Sequence, residues 1–174
     1  ECSSGSICSF TNVLIKGNTA SNDGGGVHLY ESTFHMHGST VEANTATKKG
    51  GGVYIDYSTA SINETRFYKN EAQYRGGGIY MHGDISDGPS VLTMRRSVLE
   101  ENEQASTAGD ANYGGGGLYV RYNSSVVLRE TTLIGNRAKA DSAGPADHGH
   151  QIMTRRANSA YATSLAVALI NSNV

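Results

Sequence analysis

The chain has no tryptophan, two prolines and two cysteines in 174 residues, and only 17% of them are charged. Each shortage removes something. A net charge of −2 gives no electrostatic footprint for nucleic acid or an anionic membrane surface. The longest wholly apolar run, Leu165–Ile170, is far too short to span a bilayer. Aromatic residues make up 7%, thin for a compact globule, although the length suffices for one domain with a core. The chain carries no G-x-S-x-G elbow, no four-cysteine zinc pattern and no secretory-leader pattern.

Glycine is what the chain has in quantity, with 22 residues, and beside so little proline it points to many tight turns in an ordered chain. The phrases GGGVHL, GGGVYI, GGGIYM and GGGGLYV recur. The apolar residues that close them, Val27, Val53, Ile79 and Leu118, are followed by Ile152, at steps of 26, 26, 39 and 34. Asparagines keep a parallel rhythm at Asn18, Asn44, Asn70, Asn102 and Asn136. Thirteen-residue units end on them: STFHMHGSTVEAN (32–44), STASINETRFYKN (58–70), SVLTMRRSVLEEN (90–102) and SSVVLRETTLIGN (124–136). SICSFTNVLIKGN (6–18) is an incomplete copy. The general form is S-x-Φ-x-Φ-x-x-[ST]-x-Φ-x-x-N, with Φ mostly large and apolar, so the glycines are punctuation in a repeat.

Within each repeat the period is two. Val27/Leu29, Val53/Ile55, Ile79/Met81 and Leu118/Val120 alternate with polar or tyrosyl neighbours, as do Phe34/Met36, Leu92/Met94 and Val126/Leu128. Such alternation means short strands with one buried face. Each repeat then holds three: the glycine-led strand, the Φ-x-Φ strand and a shorter one around Val41, Phe67, Leu99 and Leu133. A unit this small cannot close a core alone, but stacked copies can. The fold expected is an all-β parallel β-helix of five to six coils, with glycines at positive-φ corners and the aligned asparagines forming a buried ladder.

These residues resemble the repeats of polymorphic outer-membrane proteins, GG[AG][ILV] paired with FxxN, and more broadly the right-handed, pectin-lyase-like β-helices. The third position is Gly where that family typically has Ala, and only Phe67-Tyr68-Lys69-Asn70 keeps the FxxN phenylalanine. The resemblance implies a secreted or surface-exposed passenger, adhesin or fibre-forming segment.

The expected organisation is one β-helix over residues 1–174, a segment of a longer chain, with regular 26-residue coils over 6–81 and loop-bearing coils over 82–174. Residue 1 falls inside a coil, and LAVALINSNV (165–174) restarts the pattern, although Ala157, Tyr161, Leu165 and Leu169 also have helical spacing. Seven-residue expansions, within EQASTAGDANY and RAKADSAGPAD, fall in consecutive coils, while HGDISDGP (82–89) and MTRRANSAYAT (153–163) enlarge another corner. Loops on a rigid scaffold often carry specificity; neutral drift at exposed corners is the plainer account.

Two columns should face outward from the glycine-led strands: His28, Tyr54, Tyr80 and Tyr119, then Tyr30, Asp56, His82 and Arg121. The first is either a stacked ladder that supports coil pairing or a flat aromatic stripe for a glycan or another chain. A glycoside hydrolase needs two carboxylates about 5–9.5 Å apart, and these columns offer only Asp56. DHGH (147–150) is compatible with a metal clip, but no metal or other cofactor is expected. Cys2 and Cys8 have the spacing of a small disulfide loop, with a reduced core thiol at Cys8 as the alternative. Asn63-Glu64-Thr65 and Asn123-Ser124-Ser125 are N-glycosylation sequons placed between strands. The functional expectation is a non-catalytic extracellular or cell-surface rod or fibre block, pairing end to end with itself or with flanking β-helix. An adhesin binding glycan or protein is the alternative, and a polysaccharide lyase or hydrolase comes third.

Overall fold

In a computed structural model, which describes residues 1–106, 113–139, 151–155 and 165–174, the chain is a parallel β-helix. Every sheet is parallel, and each strand pairs with its counterpart one coil away. The glycine-led sheet holds Val27–Tyr30, Val53–Asp56, Ile79–Gly83, Leu118–Tyr122 and Ile152–Arg155. The long sheet holds Ile7–Thr11, Thr33–His37, Thr59–Asn63, Ser90–Arg95, Ser124–Arg129 and Leu165–Ile170. A three-residue sheet runs from Leu14–Lys16 through Thr40–Glu42, Arg66–Tyr68 and Val98–Glu100 to Thr132–Ile134. Each coil also has a strand that the sequence pattern does not announce. Thr19–Ala20, Thr45–Ala46, Glu71–Ala72, Glu103–Gln104 and Arg137–Ala138 form a fourth, two-residue sheet. Two residues are too few to display an alternation, which is why only three strands per coil are legible.

Register follows the repeat. Val27 pairs with Val53, Val53 with Ile79, Ile79 with Leu118 and Leu118 with Ile152. The longer steps, from Ile79 to Leu118 and from Leu118 to Ile152, leave this pairing intact. Val53, Ile55, Phe67, Ile79, Met81, Leu92 and Met94 are fully buried in one continuous core. Leu165–Ile170 pairs along its whole length with Ser124–Arg129, so the strand reading holds there; residues 157–164 of the rival helix lie outside the described residues, 156–164 being among those left out.

The chain turns at corners of one left-handed residue each, and many of these residues are not glycine. Glu31, Ala43, Tyr57, Glu64, Lys69 and Arg96 have φ between 46° and 53°. For an L-residue this costs roughly 1–2 kcal/mol, which the coil pairing on either side must offset. Within the glycine triplets only the first member needs positive φ; Gly76, for example, has φ 64°. The second and third are glycines for a different reason. A Cβ on Gly77 would stand 2.3 Å from the carbonyl oxygen of Glu103, and one on Gly78 would stand 2.5 Å from that of Gly117. Neighbouring coils touch backbone to backbone there, with no room for a methyl group.

The aligned asparagines form the expected ladder. The backbone N–H and the Nδ2 of Asn44 both donate to Oδ1 of Asn70, at 3.1 and 3.0 Å. Asn70 repeats this toward Asn102, and Asn102 toward Asn136. Each Nδ2 spends its second hydrogen on a carbonyl of the preceding coil, as Asn70 does on Val41 at 2.9 Å. Asn18 joins from the exposed first coil, and the Nδ2 of Asn136 ends on Oε1 of Gln151.

The serine and threonine positions of the repeat are ladders too. The N–H of Ser32 donates to the hydroxyl of Ser58, that of Ser58 to Ser90, and that of Thr65 to Ser97. Three of the turns in a coil are therefore satisfied by side chains of the next coil, as buried backbone groups require.

Candidate functional site

The outer side of the glycine-led sheet brings a column of stacked aromatic rings together with partly buried charged groups. Tyr54 stacks on Tyr80 with ring centroids 5.2 Å apart and planes 8° from parallel, and Tyr80 on Tyr119 at 5.5 Å and 21°. His28 meets Tyr54 edge-on at 4.9 Å. The predicted column therefore exists and stacks, but it is not an open stripe. Tyr54, Tyr80 and Tyr119 are 7%, 1% and 0% exposed, and only His28 is part-exposed. The reason lies in the neighbouring corner. The ammonium of Lys49 lies 5.6 Å from the Tyr54 centroid and 5.3 Å from that of Tyr80, and the Arg75 guanidinium lies 5.9 Å from that of Tyr119. The charged heads stand over the rings as cation–π partners, and Met153 packs against the column beside Tyr119.

Burial sets the electrostatics. It pushes the Tyr80 phenol up to about 12, against the pull of Arg121, and raises Tyr54 and Tyr119 as well. Burial also lowers Lys49; Asp23, whose Oδ2 is 3.8 Å from Nζ, opposes that, while Arg75 and Arg121 add to it.

The second outward column brings Asp56 and His82 together on adjacent coils. Nδ1 of His82 lies 2.7 Å from Oδ1 of Asp56, and the Tyr54 phenol donates to Oδ2 of Asp56 at 3.2 Å. Both carboxylate oxygens are thus engaged. The His82 ring meets Tyr57 and Tyr122 edge-on, each at 5.4 Å. Beyond Tyr57 a shallow groove of about 320 Å³ runs along the corner between the glycine-led and long sheets. Glu31, Tyr57, Thr59 and Asp87 are among the residues that line it.

The remaining predicted residues are scattered. Cys2 and Cys8 are joined by a disulfide, so Cys8 is not a reduced thiol; it packs against the edge of the core. Asn63 ends a strand of the long sheet instead of lying between strands, and the hydroxyl of its sequon partner Thr65 is buried, donating to the Asn63 carbonyl at 2.8 Å. Asn123 does lie between two strands, with Nδ2 donating to the Asp84 carbonyl at 2.9 Å. DHGH (147–150) lies outside the described residues, as do large parts of the two seven-residue expansions and of 153–163.

The chain matches no family model, no curated protein and no solved structure.

Sequence reasoning missed the pairing of Asp56 with His82 and the cover of Lys49 and Arg75 over the tyrosines. The signal was available: Asp23, Lys49 and Arg75 repeat at the same 26-residue step as the tyrosines, one corner upstream.

Proposed function

We propose that this chain is a non-catalytic, extracellular structural repeat domain, a stiff rod segment of a surface or filament protein. The observation that carries the reading is the unbroken side-chain ladder from Asn18 to Gln151, repeated by serine and threonine at two further turns. Each coil is fixed to the next by bonds that bending would have to break, which is what a rod needs. Cross-coil ion pairs add a weak exposed layer, such as Arg66–Glu100 at 2.7 Å and Arg96–Glu64 at 2.6 Å. The Cys2–Cys8 disulfide fits an oxidising compartment, and the likeness to polymorphic outer-membrane repeats supports a surface location. The sequons at Asn63 and Asn123 would carry glycans if the chain passes through a eukaryotic secretory route.

Partner contacts run end to end in this reading. The terminal coils present unpaired strand edges and exposed Ile7, Leu14, Leu169 and Val174. Electron microscopy with light scattering at rising concentration is the test, and linear particles that lengthen with concentration are expected. A monodisperse monomer at high concentration would favour the second reading, an adhesin. That alternative draws on the polar groove beside Tyr57. Polysaccharide cleavage that disappears in Asp56→Ala would overturn the non-catalytic reading altogether.

A further inference from the structure

Among the described residues four lysines pair with carboxylates, and one of these pairs is unlike the rest. Lys16–Glu42 and Lys139–Glu103 close to 2.9 and 2.6 Å, with lysine side chains 54% and 39% exposed. Lys49 and Asp23 stay 3.8 Å apart at Nζ and Oδ2, with side chains only 22% and 12% exposed. At that distance no hydrogen bond joins them. The other carboxylate oxygen, Oδ1 of Asp23, is buried and accepts no hydrogen bond at all. A charge pair this dry and this poorly bonded recovers little of its desolvation cost. The fold nonetheless holds the two groups side by side. They occupy the same corner of adjacent coils, where the Gly24 N–H donates to the Lys49 carbonyl at 3.0 Å. The Tyr54 and Tyr80 rings stand 5.6 and 5.3 Å from the nitrogen. Burial favours the neutral amine at Lys49, and the charges of Arg75 and Arg121 push the same way.

We propose that Lys49 and Asp23 are a self-modification site, at which amine and carboxyl condense to an isopeptide bond between adjacent coils. The ion pair is the precursor. A proton passes from the ammonium to the carboxylate, which removes both charges from a poorly hydrated place. The Nζ lone pair then attacks Cγ of Asp23. A C–N bond forms, the bond from Cγ to Oδ2 breaks, and an amine hydrogen leaves with that oxygen as water. No oxidant or further reactant takes part. Two groups held in contact by the fold act as if present at about 10⁵–10⁸ M, which is what drives a condensation in water. The product is neutral, so the unpaired Oδ1 becomes an amide oxygen, cheaper to bury than a carboxylate oxygen. The link ties the corner before Val27–Tyr30 to the corner before Val53–Asp56, and it is independent of whether the domain serves as a rod or as an adhesin.

The test is the intact mass of the purified whole chain after its disulfide has been reduced. The expected mass is one water below that of the sequence, while Lys49→Arg and Asp23→Ala should each have their full mass. Trypsin then locates the link. Cleavage after Lys16, Lys48 and Arg66 should release residues 17–48 and 49–66 as one branched product joined through Asp23 and Lys49. A parent chain of full mass overturns the site. Asp23 precedes Gly24, and this pair also loses one water when the Gly24 nitrogen closes a succinimide on the aspartyl carboxyl. That product persists in Lys49→Arg and yields no branched peptide. A lighter parent without the branch, or a Lys49→Arg chain that is equally light, therefore overturns the isopeptide bond as well.

Discussion

Ile79 and Tyr80 are consecutive in one strand and both are buried, yet they are buried by different means. Ile79 points into the core and stacks between Val53 and Leu118, a purely apolar environment that any coil of this repeat supplies. Tyr80 points the other way, between Tyr54 and Tyr119, under the ammonium of Lys49 and against Arg121. The inner face needs only shape. The outer face carries hydroxyls and charges into a poorly hydrated place, so each polar tip requires a partner, and Asp23, Tyr119 and Arg121 have atoms without one. Burial on the first side is structural economy; on the second it creates chemistry.

The largest effect should come where both faces depend on the same backbone. In Gly77→Ala the new Cβ would stand 2.3 Å from the Glu103 carbonyl oxygen; a loss of about 4 kcal/mol or more in urea unfolding is expected, or no folded protein at all. Next is Asn70→Leu, which strands the Asn44 N–H and the Val41 carbonyl. It should cost about 3 kcal/mol, and a change within about 0.5 kcal/mol would mean that the ladder is not what holds the turn. The two faces can then be set against each other directly. Ile79→Ala should lose about 3 kcal/mol through a cavity, while Tyr80→Phe, which keeps the stacked ring and removes only the bond to Arg121, should lose about 1 kcal/mol. Equal losses would show that the hydroxyl matters as much as core volume.

The smallest effect is a slope with pH. The folded-state values of Tyr54, Tyr80 and Tyr119 lie above the ordinary 10.0, mainly through burial. The unfolded chain therefore loses these protons first. Their contribution is complete below pH 10 and drains away as pH rises toward the folded value of Tyr80, about 12. Following phenolate absorbance together with circular dichroism should show these phenols ionising as the fold is lost. Ionisation of the stack in an intact fold would mean that the outer face is open to water.

Much of this architecture is readable from the chain because a β-helix repeats its constraints. The step from Val27 to Val53 to Ile79 gives the strand register, and Asn44, Asn70 and Asn102 give the turn that closes each coil. What is not readable follows from contacts between repeats. The role of Gly77 is set by Glu103, a residue of the next coil, so positive φ was the natural but wrong explanation. Ser58 and Ser97 stand plainly in the repeat, yet nothing in one copy says that their hydroxyls accept from the preceding coil. The tyrosines face outward as their alternation demands; their burial depends on Lys49 and Arg75, which belong to a different corner.

The asparagine ladder also has a sense. Every Oδ1 accepts from the coil before it, and the carboxamides of Asn44, Asn70, Asn102 and Asn136 repeat that orientation without exception. The column is a vector, and a two-fold axis placed across its end would set one Asn18 carbonyl oxygen against another with no proton between them. Stacking that prolongs the column must therefore keep all units pointing the same way, so a filament made by such contacts would have two unlike ends and could grow at different rates from each.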